Sequence, residues 1–144
     1  MTSYEYWKQQ KGFPGLGRKL KISILIPNYG GCSYYRLLLP SKKLVEHSPD
    51  VVEVYASENP LGWSKEKGPL DEKIDDKFFE SDIIWTNNIP NYGINYLARV
   101  CGLTHQAKRL FHFDTDDLLT ELYKGHRLEK VYNEQGLSEN TKQI

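Results

Sequence analysis

A chain of 144 residues, 39% hydrophobic and 26% charged, has enough apolar side chains to cover a sheet; this excludes a disordered chain and leaves little room for a second core. Nineteen Lys+Arg balance 19 Asp+Glu, which removes the global charge that draws a protein to nucleic acid or to an anionic membrane. No apolar run reaches the roughly 20 residues of a bilayer span, residues 1–7 lack the basic-then-apolar order of a signal peptide, and Cys32 and Cys101 lack metal-ligand spacing, so the sequence predicts a cytoplasmic protein with two free thiols.

Residues 1–20 show neither a period of two nor one of 3.6 and predict an arm that packs on the domain or on a partner through Tyr4, Tyr6, Trp7 and Phe13. The β-branched run 22–27, closed by Pro27 and the turn Asn28-Tyr29-Gly30-Gly31, predicts a buried parallel strand. Ser33 then caps a helix carrying Tyr34, Tyr35, Leu37, Leu38 and Leu44, which Pro40 kinks or splits. Residues 51–56 read as a second strand, and the polar stretch 57–68 as a functional loop or one that packs by Trp63. A short helix around 70–79 leads into a third strand at 82–86, and a helix over 94–103 is loosened by Gly102 and Thr104. Residues 109–113 are a fourth, buried strand. Leu118, Leu119, Leu122, Leu128 and Val131 return at helical spacing over 118–132, interrupted at Gly125, before a polar tail. Strands separated by helical crossovers imply an α/β fold: a Rossmann-like three-layer α/β/α domain over 21–136, with a mostly parallel sheet of about four or more strands, between an arm at 1–20 and a tail at 137–144.

Open parallel sheets bind ligands beyond the carboxyl ends of their strands. Three polar clusters map there: the turn after strand one, the Asn87-Asn88 pair, and Asp114 with Asp116 and Asp117. Gly30 and Gly31 let backbone approach a ligand or serve an ordinary turn, and neither G-x-G-x-x-G nor G-x-x-x-x-G-K-[ST] is present, which argues against a nicotinamide dehydrogenase or a P-loop NTPase. Arg36, preceded by Tyr34 and Tyr35, is placed to fork onto a phosphate or carboxylate, or else to face water. Repulsion among the three aspartates needs relief by a divalent cation, by protonation or by helix N-terminal amides. The alternative is that one caps a helix near Leu118 while the others face water. The candidate ligand-binding residues are therefore Asn28, Gly30, Gly31, Tyr35, Arg36, Asn87 and Asn88, and the candidate catalytic residues Asp114, Asp116 and Asp117. His112 faces away from Phe111 and Phe113 and reads as a hydrogen-bonded core residue, and His126 and Arg127 as helix surface.

With these residues in place, the chain resembles glycosyltransferases in two ways. Ile26-Pro27 followed by Gly31-Cys32-Ser33-Tyr34-Tyr35-Arg36-Leu37-Leu38-Leu39-Pro40 is similar to a G-C-x-Y-Y-R-x-x-x-P signature in the amino-terminal Rossmann domain of phage and bacterial enzymes of the two-domain GT-B class. The match continues at Asp82-Ile83-Ile84-Trp85 and Phe113-Asp114-Thr115-Asp116-Asp117-Leu118, over residues 21 to about 132. The second resemblance is to single-domain GT-A enzymes, through Ser23-Ile24-Leu25-Ile26-Pro27-Asn28-Tyr29, Asn91-Tyr92-Gly93, Ala98-Arg99 and the D-x-D-D motif Asp114-Thr115-Asp116-Asp117. Where that family has an acidic nucleotide-binding turn this chain has Tyr55-Ala56-Ser57-Glu58-Asn59, and Tyr34-Tyr35-Arg36 and Pro40 have no counterpart there, so the GT-B resemblance is the stronger.

The GT-B resemblance implies hexosyl transfer, with a sugar nucleotide or glycan acceptor at the carboxyl edge, a carboxylate from Asp114, Asp116 or Asp117 taking the acceptor proton, and Arg36 offsetting leaving-group charge. It also implies a second Rossmann half or a protein partner that completes the enzyme, in the host cytoplasm if phage-encoded. The GT-A resemblance implies instead Mg²⁺ or Mn²⁺ on Asp114 and Asp116. The alternative to both is a non-catalytic nucleotide-, sugar- or protein-binding module, with Trp63 and the aromatic arm as a protein contact.

Overall fold

The computed structural model describes residues 1–114, with Asp71 as backbone alone. β1 (Leu20–Leu25) holds the centre because its alternate residues feed two cores: Ile22, Ile24 and Ile26 join Leu37, Val51 and Val52 on one face, while Leu25 joins Leu61, Phe78, Ile84, Tyr96, Leu97 and Val100 on the other. Apolar side chains pointing both ways require cover on both faces. β1 pairs in parallel with β2 (Val52–Ser57) from Leu20↔Val52 to Leu25↔Ser57. On its other side it pairs in parallel with β3 (Ile83–Thr86), from Ile22↔Ile83 to Ile24↔Trp85. β4 (Leu110–Phe113) extends the sheet beyond β3, giving the order β2-β1-β3-β4 with every pairing parallel, a Rossmann-like α/β arrangement.

The arm is not structureless. α1 (Ser3–Gln9) opens on a capping box in which Thr2 Oγ1 accepts from Glu5 N at 3.1 Å and the Glu5 carboxylate accepts from Thr2 N at 2.7 Å. Seven residues are too few to show a helical period in sequence. Trp7 stacks on Phe13 at 6.2 Å and both pack against the β1–β2 core, while Tyr4 meets the His47 ring edge-on at 5.2 Å. The arm therefore packs on its own domain.

After β1 the chain is helical from α2 (Gly31–Ser33) through a π turn (Tyr34–Leu38) into α3 (Leu39–His47). Ser33 is not the cap; Gly30 occupies that position and Ser33 is buried inside the first turn. Nor does Pro40 split the helix. Proline has no N–H for the carbonyl of Arg36, and the chain adapts by widening, with Leu39 N donating five residues back to Tyr34 O. The helix expected around 70–79 is two pieces, a 3-10 turn (Pro69–Asp71) and α4 (Asp76–Phe79), the latter capped by Asp75. α5 (Ile94–Gln106) runs through Gly102 and Thr104 rather than loosening there: its buried face, which includes Leu97, Val100, Cys101 and Thr104, holds it to the core, and the Thr104 hydroxyl is satisfied by donating to Val100 O at 2.7 Å.

β4 corrects a further expectation. It is not buried: Leu110 is 68% exposed and His112 is exposed, its ring edge toward Trp85 at 6.3 Å, so His112 is no core histidine. Among the described residues β4 pairs on one side only, and none of their helices is long and apolar enough to cross a membrane. At the amino end of the strands, Asp82 accepts from both terminal nitrogens of Arg18 at 2.8 Å, from Lys21 N at 2.9 Å and from Arg109 at 3.3 Å. The helix expected over 118–132 and the tail lie outside the described residues.

Candidate functional site

The crossover from β1 leads to β2 on one side and that from β3 to β4 on the other, although β1 and β3 are neighbours. Such a switch point opens a crevice at the carboxyl ends, since the two following loops turn apart. Here the loops stay stitched at their base: Asn91 N donates to Pro27 O at 3.1 Å, and the buried Thr86 hydroxyl donates to Leu25 O at 2.8 Å.

On the β1 side, Asn28 Oδ1 accepts from Gly30 N at 2.8 Å and from the Ser33 hydroxyl at 3.4 Å, a side-chain turn that aims the chain into α2. A Cβ on Gly30 would stand 2.9 Å from that oxygen, whereas one on Gly31 would meet open space. Asn28 and Gly30 thus build the turn, and Gly31 leaves a clear approach over it. Tyr29 and Tyr35 are 72% and 68% exposed, and Tyr34 meets Tyr35 edge-on at 5.1 Å. The Glu58 carboxylate, in the loop after β2, raises the Tyr29 phenol above its ordinary range, with a smaller contribution from burial.

Arg36 leaves the π turn toward the end of β4, where its Nε lies 3.4 Å from Asp114 Oδ2. The structure thereby brings the candidate Arg36 together with one member of the aspartate cluster. Asp114 is held in place by its own backbone, its N–H donating to Thr86 O at 2.9 Å. Of the middle pair, Asn88 serves a local turn, its Oδ1 accepting from Ile89 N at 2.8 Å. Asn87 is only 5% exposed and its Oδ1 has no hydrogen-bond partner among the described residues. Asp116, Asp117, His126 and Arg127 lie outside those residues. Among the described residues no group of three or more His, Cys, Asp or Glu side chains comes together for a metal, and Asp114 faces the Arg36 guanidinium.

The loop after β2 holds a network that sequence reasoning left open. Asn59 Oδ1 accepts from Trp63 N at 3.0 Å and from the Tyr96 hydroxyl at 2.8 Å, that hydroxyl accepts from Leu61 N at 3.1 Å, and Trp63 packs edge-on against Tyr96 at 4.9 Å. Burial pushes the Tyr96 phenol well above its ordinary range, so it stays a donor. Trp63 accordingly packs on its own core. A hollow of about 120 Å³ between β1, β2 and α4 is lined by Lys21, Glu53, Tyr55 and Lys77. Its charges answer one another, with Lys21 3.9 Å from Glu53 and Lys77 over the Tyr55 ring, so the carboxyl edge remains the better candidate site. Comparison with family models, with curated proteins and with solved structures finds no match to this chain, and the chemistry of the edge rests on its own geometry.

Proposed function

We propose that the chain is a glycosyltransferase-like domain that holds a sugar nucleotide or glycan acceptor at the carboxyl edge of its sheet, with a second Rossmann-type half or protein partner completing the enzyme. The observation that carries this reading is the Arg36–Asp114 pair, 3.4 Å apart at the end of β4 and beside the β1/β3 switch point. A guanidinium there answers the charge of a leaving diphosphate, and a carboxylate next to it takes the proton of an attacking hydroxyl. Asp116 and Asp117 are the further carboxylates of the motif. A phage or bacterial origin and work in the cytoplasm complete the proposal; the exposed, unpaired Cys32 suits a reducing compartment.

The test is calorimetric titration with uridine and guanosine diphosphate sugars, with and without manganese, of the wild type, Arg36→Ala and Asp114→Asn. Arg36→Ala is expected to weaken diphosphate binding by about tenfold or more. Asp114→Asn, especially with Asp116→Asn, is expected to abolish sugar transfer while the fold persists. Wild-type turnover in that double variant would sink the catalytic assignment. A non-catalytic binding module is the second reading, favoured by the exposed Tyr29, Tyr34 and Tyr35 around the crevice, which offer stacking surface and no chemistry.

A further inference from the structure

Three buried polar atoms lack a hydrogen-bond partner among the described residues, the indole nitrogens of Trp63 and Trp85 and the Asn87 carbonyl, and of these Asn87 follows the end of β3 at the proposed edge. Asn28, Thr86 and Asn88 all engage neighbouring backbone, whereas Asn87, 5% exposed, carries an amide carbonyl without a partner among the described residues. A buried acceptor left unpaired opposes folding, so its retention at a ligand-facing edge points to a donor that arrives with a ligand. The strand ends say what stands near it. Thr86 pairs with Phe113 as the last step of the β3–β4 ladder, so Asn87 and Asp114 are the first residues beyond two adjacent strand ends. Neighbouring strands lie about 4.8 Å apart, so an amide oxygen and a carboxylate follow adjacent strand ends, a neighbourhood that hydroxyls of one sugar ring can span. Arg36, proposed to answer a diphosphate, lies 3.4 Å from Asp114.

We infer that Asn87 is a specificity-determining residue whose carbonyl accepts a hydrogen bond from a ring hydroxyl of the ligand, the diol being read jointly by Asn87 and Asp114. This rests on the functional reading above and goes further by naming the group that is recognised. The hydroxyl belongs to the hexose or to the ribose of a sugar nucleotide, and the two sources are separable.

Asn87→Leu keeps the shape and removes the acceptor. It is expected to melt at or above the wild-type temperature, because an apolar isostere relieves an unpaired polar group, and to bind UDP-glucose about tenfold or more weakly. An equal loss for UDP alone assigns the ribose; a loss confined to UDP-glucose assigns the hexose. Unchanged affinity of Asn87→Leu for both probes overturns the inference and leaves the functional reading standing, whereas failure of the wild type to bind these probes or a guanosine diphosphate sugar removes the sugar-nucleotide reading and the inference with it. If Asn87→Leu does not fold, the wild-type chain decides. On saturation with UDP-glucose the Asn87 side-chain amide resonances should shift while those of Asn28 stay in place, and a stationary Asn87 signal overturns the inference.

Discussion

At Gly30 the backbone angle φ is −74°, open to any residue, and what excludes a side chain is the Asn28 oxygen 2.9 Å from the Cβ position. Gly30→Ala must therefore swing Asn28 away and break its bond to the Gly30 N–H. The expected cost is about 1 kcal/mol, measured by urea denaturation, with weaker ligand binding as the turn into α2 loosens. Asp82 has the opposite character, a carboxylate surrounded by donors. Hydrogen bonds from Arg18, then from Lys21 N, together with the charges of Arg18 and Arg109, outweigh burial and lower its pKa from 3.8 to about 2. A depressed folded-state value means the carboxylate contributes stability that is present above the unfolded pKa and lost as pH falls through the folded one. Stability should thus fall between about pH 5 and pH 2, by about 2 kcal/mol for this group. Asp82→Asn should be less stable at pH 7 and flatter across that window. Denaturation at pH 7, 4 and 2.5 checks both, and an unchanged acid slope in the variant would show that other carboxylates dominate.

The π turn is the element on which the proposed site depends most. Pro40 withholds a donor from Arg36 O, the helix widens, and Arg36 emerges facing Asp114. Pro40→Ala restores the N–H, so the helix is expected to tighten toward α geometry and turn Arg36 away from β4. Melting temperature should hold or rise while affinity for a diphosphate sugar drops about tenfold; equal affinity would mean that the π turn does not position Arg36. Proline in the sequence announced a disturbance, but not its form, since a kink, a split and a widened turn all answer the same missing donor. Strands were easier to read. Buried β-branched runs admit few alternatives, and β1 to β4 fall within a residue or two of the runs around Ile24, Val54, Ile84 and Phe111. The proximity of Arg36 and Asp114 was legible because both follow strands that end on one edge. The burial of Asn87 was not, because it depends on how the two loops close over β3, which no local pattern encodes. β4 looked buried from Leu110 and Phe111 alone, and its exposure follows from its position at the side of the described sheet.

Across the whole molecule, the strand order divides the sheet into two units. β1 with β2 and β3 with β4 each pair segments roughly 30 residues apart, whereas β1 with β3 joins segments roughly 60 apart. That doubling costs only about 0.6 kcal/mol in loop closure. The ladders add to it, for the β1–β3 ladder ends at Ile24↔Trp85 while β1–β2 continues to Leu25↔Ser57. Native-state hydrogen exchange in low urea is expected to show the β1–β3 amides opening before those of β1–β2, and simultaneous opening of all four strands would refute the division. The switch point then has a meaning in time as well as in space. If that seam closes last and parts first, a molecule lodged in it would act as a rivet, lengthening the life of the folded chain through the same contacts by which it is recognised.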